Sequence, residues 1–271
     1  MHHASAPNPD LRIIPVDAPK PHEEHDTQRS APLIDKLRHA EIITNPPVVT
    51  QVENGDYIIL DGANRCYSFA QIGAPNLMVQ VVSYFSDQVE LGTWNHVVSR
   101  WNVDELIRQT ERLHDIQLHD GHHRDAIAHV YMPTGGVKAL LVPVQTVRER
   151  NAALREFVNI YQRNAVLSRT PLNEPDDVWH LYSEANALVI FPPYEPSDII
   201  EAAQHQAFLP PGISRHIVHG RALQVNYPMQ TLYDETTSLE EKNDRLNAWI
   251  TDKLMNRSIR YYAEATYQFN E

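Results

Sequence analysis

The chain has 271 residues, 23 Lys and Arg against 35 Asp and Glu, a formal net charge of −12, and 42% apolar residues. That balance argues against a surface that grips nucleic acid broadly, because phosphate backbones demand clustered cations. It leaves room for a small anion held by a few local donors. One cysteine, Cys66, excludes an intrachain disulfide framework and a cysteine zinc cluster, and 19 prolines against 9 glycines favour short elements joined by stiff turns.

Residues 1–10 read as a disordered polar leader with no signal-peptide core. The longest apolar runs are too short to span a bilayer, so a cytoplasmic location is expected. Residues 11–16 form a strand, 19–29 a polar loop, and 31–40 a helix with Leu33, Ile34 and Leu37 on one face. Strands 48–52 and 57–60 flank Glu53-Asn54-Gly55-Asp56, whose Asn-Gly step signals a hairpin. A helix over 64–72 ends at Gly73 and Pro75, and a strand follows at 77–82. Residues 103–114 are an amphipathic helix, and 126–132 with 137–144 a second hairpin. A helix spans 147–165, a strand 188–191, a Pro-initiated helix 197–206 and a strand 222–226. Ser238 with Glu241 makes a capping box for a helix to about residue 256, and 259–269 alternate as a final strand.

The most informative segment is residues 57–82. A strand delivers Asp61-Gly62 to a sharp turn, and a helix begins at once with Arg65 in its first turn. Free N–H groups and the positive dipole end suit a phosphate, Arg65 adds a bidentate anion contact, and Asp61 can hold a metal ion or act as a base. The plainer alternative makes Asp61 a helix cap and Arg65 a surface cation.

This segment, YIILDGANRCYSFAQIGAPNLMVQVV, resembles the ParB/sulfiredoxin-like superfamily. Members show a strand, then D-G-H-H-R, G-x-H-R or G-E-R-R, then a helix ending in L-G and another strand. Pro21-His22-Glu23 resembles the P-H-E segment of the free L-serine kinases of that superfamily. So do SYFSDQVELGTW, ending at Trp94, and FLPPGISRHIVHGRALQVNYPMQTL, which carries Ser214, Arg215 and His216. The three segments occur in the family's order across most of residues 11–232.

The resemblance implies an α+β fold. A ParB/sulfiredoxin-like domain would span 11–120 and a second, smaller α/β domain 121–237, forming a cleft, with a helix-and-strand extension over 238–271. It implies phosphoryl transfer from ATP or ADP, with Mg2+, to a free amino acid such as L-serine. Glu23 or Glu24 would be the general base, one extra residue leaving the register open. Asp61, Gly62, Asn64 and Arg65 would handle phosphate, with Asp61 also on the metal. Trp94, Ser214, Arg215 and His216 would shape the amino-acid pocket. Two departures stand out. Ala63 and Asn64 replace the two histidines of D-G-H-H-R, and Phe191-Pro192-Pro193 stands where the kinases carry a lysine. They support an alternative: a diverged member that binds a nucleotide or small molecule without transferring phosphate, as a regulator or biosynthetic accessory protein.

Within the superfamily, the sulfiredoxin cysteine position is Ala63, while Cys66 reads as a small core residue. The charge of −12 opposes a DNA-partition role. His119-Asp120-Gly121-His122-His123-Arg124 spells D-G-H-H-R in the wrong context, after a helix and before a strand. It reads as a solvated inter-domain loop, His114 and His129 nearby making a metal site the sharper alternative. Trp101, Trp179 and Trp249 read as core or interface, and Arg148, Arg150 and Arg155 as a charged solvent face. Tyr261, Tyr262 and Tyr267 offer a contact for a second copy of the chain, a homodimer.

Overall fold

The computed structural model describes residues 8–25, 27–143 and 146–261. They form two compact units, both discontinuous in sequence. The first is drawn from residues up to 20, 25–90 and 218 onward, and the second from 21–24 and 91–217.

The first unit contains β1 (Asp10–Pro15), β2 (Pro19–Lys20), α1 (Thr27–Arg38), β3 (Ile42–Ile43), β4 (Val48–Gln51), β5 (Tyr57–Asp61), α2 (Ala63–Gln71) and β6 (Asn76–Val81). After the second unit the chain returns to it with β15 (Tyr227–Pro228), α7 (Gln230–Tyr233) and α8 (Leu239–Met255). Its five-stranded sheet has the order β1-β6-β4-β5-β2. The β4–β5 hairpin is antiparallel, and β4 runs parallel to β6. The alternating apolar residues Ile13, Val49, Ile59, Leu77 and Val79 meet Phe69 of α2 and Leu246 of α8 in one buried core. Cys66 lies in that core, and burial pushes its thiol up to about 12, which makes it inert packing. Helix α8 is stitched to β1 by Asn243, which accepts the Ile13 N–H and donates to the Ile13 carbonyl, both at 2.8 Å.

The second unit contains β7 (Val89–Thr93), in which the chain enters it, then β8 (Asn95–Ser99), α3 (Val103–Thr110), β9 (Gln117–Asp120), β10 (Ala128–Tyr131) and β11 (Val137–Leu141). There follow α4 (Val147–Asn164), β12 (Val166–Thr170), α5 (Pro175–Leu181), β13 (Ala185–Ile190), α6 (Pro196–Gln204) and β14 (Ser214–Val218), in which the chain leaves. Six strands make an antiparallel sheet in the order β12-β8-β13-β10-β11-β9, and β7 pairs with β14 in a two-stranded ribbon. Helix α4 buries Leu154, Phe157, Val158 and Tyr161.

The sequence-based expectations need several corrections. The chain changes unit after residues 20, 24, 90 and 217, not near 120. Strand β9 is the edge of the second unit's sheet, and α8 packs into the first unit instead of forming an appended extension. The expected loop 19–29 holds β2 and the start of α1. Residues 222–226 form no strand, because their N–H groups are satisfied elsewhere. Ala222 N–H donates to Gln80 Oε1, Gln224 N–H to Asn45 Oδ1 and Val225 N–H to the Thr44 carbonyl.

His119 and Asp120 belong to β9, and Asp120 pairs with Lys138 at 2.6 Å, so this motif is a sheet edge and turn within one unit. Among the described residues no group of three or more His, Cys, Asp or Glu could hold a metal ion. Arg155 leaves its expected solvent face to pair with Glu24 and donate to the Phe208 carbonyl. Of the expected last strand, residues 259–261 are irregular and 262–269, with Tyr262 and Tyr267, lie outside the described residues. No helix among the described residues is long and apolar enough to cross a membrane.

Candidate active-site constellations

The expected site residues fall into two constellations, one in each unit. In the first unit β5 ends at Asp61 and α2 starts at Ala63, so Gly62 alone makes the turn. Its φ of +90° is in the left-handed region, and a Cβ there would meet Pro47 and the Arg65 side chain at 3.1 Å. Gly62, not Asp61, is the helix cap, and it supplies no side-chain acceptor. The start of α2 therefore goes without a side-chain cap from this residue. Asp61 is 47% exposed, and its Oδ2 accepts from Arg65 Nη2 at 3.1 Å and Arg221 Nη2 at 2.8 Å. Arg65 Nη1 also donates to the Asn45 carbonyl at 2.9 Å, which fixes the guanidinium beside the helix start. Two guanidiniums on one carboxylate oxygen leave a local excess of positive charge.

The second unit holds Glu23, Glu24, Trp94, Ser214, Arg215 and His216. Residues 22–24 lie alongside Leu209: the Leu209 N–H donates to the His22 carbonyl at 2.8 Å and the Glu24 N–H to the Leu209 carbonyl at 3.1 Å. This aims the Glu23 side chain inward, where it is only 13% exposed. Its Oε2 accepts the Gly212 N–H at 2.7 Å, and its Oε1 accepts the Ser214 N–H at 2.7 Å and the Ser214 hydroxyl at 2.5 Å. His22 Nε2 lies 2.7 Å from the Ser214 oxygen and 3.6 Å from Glu23 Oε1. Burial alone would raise the Glu23 carboxyl; His22, Ser214 and the Gly212 N–H outweigh it and hold the group down to about 2.

Glu24 turns the other way, 46% exposed, and pairs with Arg155 Nε at 3.1 Å. The Arg215 guanidinium stacks over Trp94 at 4.8 Å, while Trp94 N–H donates to the Ile213 carbonyl at 2.8 Å. The His216 ring meets His22 edge-on at 5.4 Å. The Ser214 hydroxyl is engaged by Glu23 and His22, so it belongs to the carboxylate's setting.

Sequence reasoning missed Arg221, Gly212 and the donor role of His22. All three lie inside the family-like segments. Only the turn-forming character of Pro210-Pro211-Gly212 marked any of them in advance.

No family model matches the chain. The fold itself has a known counterpart: it is that of the free serine kinases, enzymes named for a small-molecule substrate. A free serine kinase in complex with AMP superposes with a TM-score of 0.72 at 16% identity, covering 86% of this chain and 97% of that one. By sequence, the chain is similar to the ATP-dependent L-serine kinase SbnI of Staphylococcus aureus, 23% identical over 258 residues, which is 95% of this chain and 96% of that protein. It is also similar to the ADP-dependent L-serine kinase SerK of Thermococcus kodakarensis, 27% identical over 104 residues, 38% of this chain and 43% of the relative.

Proposed function

We propose that the chain transfers a phosphoryl group from ATP or ADP to the hydroxyl of a free amino acid, L-serine by preference. The serine oxygen forms the new P–O bond, the bond to the leaving nucleotide breaks, and the hydroxyl proton passes to Glu23. The observation that carries this reading is the Glu23 carboxylate, largely buried and held ionised by His22, Ser214 and the Gly212 N–H in a fold shared with serine kinases. A carboxylate held near 2 is a weak base. Phosphoryl transfer through a loose transition state asks more of a base's position than of its strength.

Asp61, Arg65, Arg221 and the α2 N–H groups suit the phosphates. Arg221 makes up for cationic groups missing at Ala63 and Asn64. Magnesium ordinarily needs only one or two protein carboxylates alongside substrate phosphates, and Asp61 is the residue that would hold it. When bound, the ion would neutralise phosphate charge. Arg215, packed on Trp94, offers a bidentate partner for the amino acid's carboxylate.

The test is direct. The protein is incubated with magnesium, ATP or ADP, and a panel of amino acids, and products are read by mass spectrometry. Phosphoserine formation that EDTA abolishes is the expected result; no product with any amino acid overturns the reading. Ala63, Asn64 and Pro192 favour a second reading, a nucleotide-binding member without transfer. Nucleotide-dependent thermal stabilisation without product would establish it.

A further inference from the structure

Beneath the Glu23 constellation lies a group of polar side chains, His96 and Tyr161 buried and Arg169 half-buried, that the proposed reaction does not use. His96 on β8 and Arg169 on β12 are direct partners across the antiparallel pair, so their side chains leave the same face of the sheet. Both reach the turn that supplies the Glu23 donors. Arg169 Nη2 donates to the Pro211 carbonyl at 2.9 Å, and His96 Nε2 lies 3.4 Å from the Gly212 carbonyl. The Gly212 N–H that holds the carboxylate shares a peptide bond with the Pro211 carbonyl, and the Ser214 N–H lies one residue beyond the peptide of the Gly212 carbonyl.

The fit under the turn is close. Gly212 has φ +78°, and a Cβ there would fall 2.0 Å from Arg169 Cζ and 2.2 Å from its Nη2. The guanidinium therefore lies directly beneath Gly212 and occupies the space a side chain would need. His96 is held from behind by the Tyr161 hydroxyl, 2.7 Å from Nδ1. Burial, helped by the charge of Arg169, lowers the imidazole to about 4, and burial raises the Tyr161 phenol. A neutral ring whose Nδ1 accepts from tyrosine carries its hydrogen on Nε2, which faces the Gly212 carbonyl.

We infer that Arg169, with His96 beside it, is a positioning residue: it fixes the Pro211–Gly212 backbone and thereby sets the place and ionisation of the Glu23 carboxylate. The kinetic part rests on reading Glu23 as the base, whereas the titration part does not. The titratable groups around Glu23 are His22 on its own segment, His96 on β8 and Tyr194 between β13 and α6. A change at residue 169 leaves all three side chains in place. Arg169→Met also removes the charge that helps lower His96, whereas Arg169→Lys keeps it, so the pair of variants separates lost support from lost charge.

The experiment compares the wild type with Arg169→Met and Arg169→Lys in the full chain, folding being checked by circular dichroism and thermal melting. The Glu23 carboxyl is titrated by carbon-13 NMR of glutamate-labelled protein, its signal assigned with Glu23→Gln. Loss of the support lets the Gly212 donor move away, so the Glu23 titration should rise by about one unit or more in Arg169→Met. The value of kcat should fall about 10- to 100-fold with the serine KM changed less than about 3-fold, and the acid limb of the pH profile should move to higher pH in step.

Arg169→Lys keeps a charge and one donor but leaves space beneath Gly212, so it should shift both readouts in the same direction by less. A folded Arg169→Met that titrates and turns over like the wild type overturns the inference. If that variant does not fold, Arg169→Lys with wild-type titration and rate does so instead. Should the wild type make no phosphoserine, the proposed function falls while the titration still decides whether Arg169 supports Glu23.

Discussion

Asp61 and Glu23 are both carboxylates at the head of a recognisable motif, yet they are neutralised in opposite ways. Asp61 is half-exposed and shared by two guanidiniums, so its surroundings stay electropositive and open to a further anion. Glu23 is nearly enclosed and held by two backbone N–H groups, a hydroxyl and the neighbouring His22, with no guanidinium among the described residues paired to it, so it stays ionised with little exposure to solvent. The first arrangement suits the capture of phosphate, and the second preserves a proton acceptor. A reaction between a nucleotide and a hydroxyl requires both kinds of site.

Replacing Glu23 by glutamine should have the largest effect. Glutamine keeps an acceptor for Gly212 or Ser214 but no longer takes a proton, so kcat for phosphoserine formation should fall about 10³-fold. Activity within about tenfold of the wild type would remove Glu23 from the chemistry and leave it as a structural clamp.

The same residue predicts an acid-sensitive stability. A carboxyl at about 2 in the folded state, against its ordinary value near 4.5 in the unfolded chain, stabilises the fold above the unfolded value and loses that contribution as pH falls through the folded one. The contribution is on the order of 3 kcal/mol. Urea unfolding should therefore show the wild type ahead of Glu23→Gln near pH 7, with the gap closing between about pH 4.5 and 2. A gap independent of pH would mean that packing, not charge, carries the difference.

On the other side, Arg221→Ala should raise the KM for the nucleotide about 10- to 100-fold, the loss expected for one charge-assisted contact, while leaving the serine KM within about twofold. Steady-state kinetics with each substrate varied in turn checks this. A rise confined to the serine KM would break the division of labour between the constellations.

These two regions were also unequally legible in the sequence. The Asp61 side is local: a strand, one obligatory glycine and a nine-residue helix closed by Gly73 fall within residues 57–73, and hydrophobic period plus turn chemistry identify each piece. The Glu23 side is made by tertiary contact. Its donors at Gly212 and Ser214 are 189 and 191 residues away, and Arg221 reaches Asp61 across 160. No period or spacing encodes such contacts. The misplaced strand at 222–226 has the same origin, since Gln80 and Asn45 satisfy backbone groups that a sheet partner would otherwise take.

The smallest effect belongs to Glu24, and it decides a register that the sequence left open. Glu24 is next to Glu23 and equally acidic, but its carboxylate faces outward to Arg155. An exposed ion pair of this kind contributes about 0–1 kcal/mol. Arg155 also keeps its bond to the Phe208 carbonyl when Glu24 is changed. Glu24→Gln should thus alter kcat by less than about threefold and shift the midpoint of thermal unfolding only slightly. Measured beside Glu23→Gln, it separates position from charge, because both substitutions remove one carboxylate from the same three-residue segment. If Glu24→Gln were the variant that lost activity and Glu23→Gln the one that kept it, the base would be the exposed carboxylate. The enclosed cluster around Ser214 would then serve only to hold residues 22–24 against Leu209.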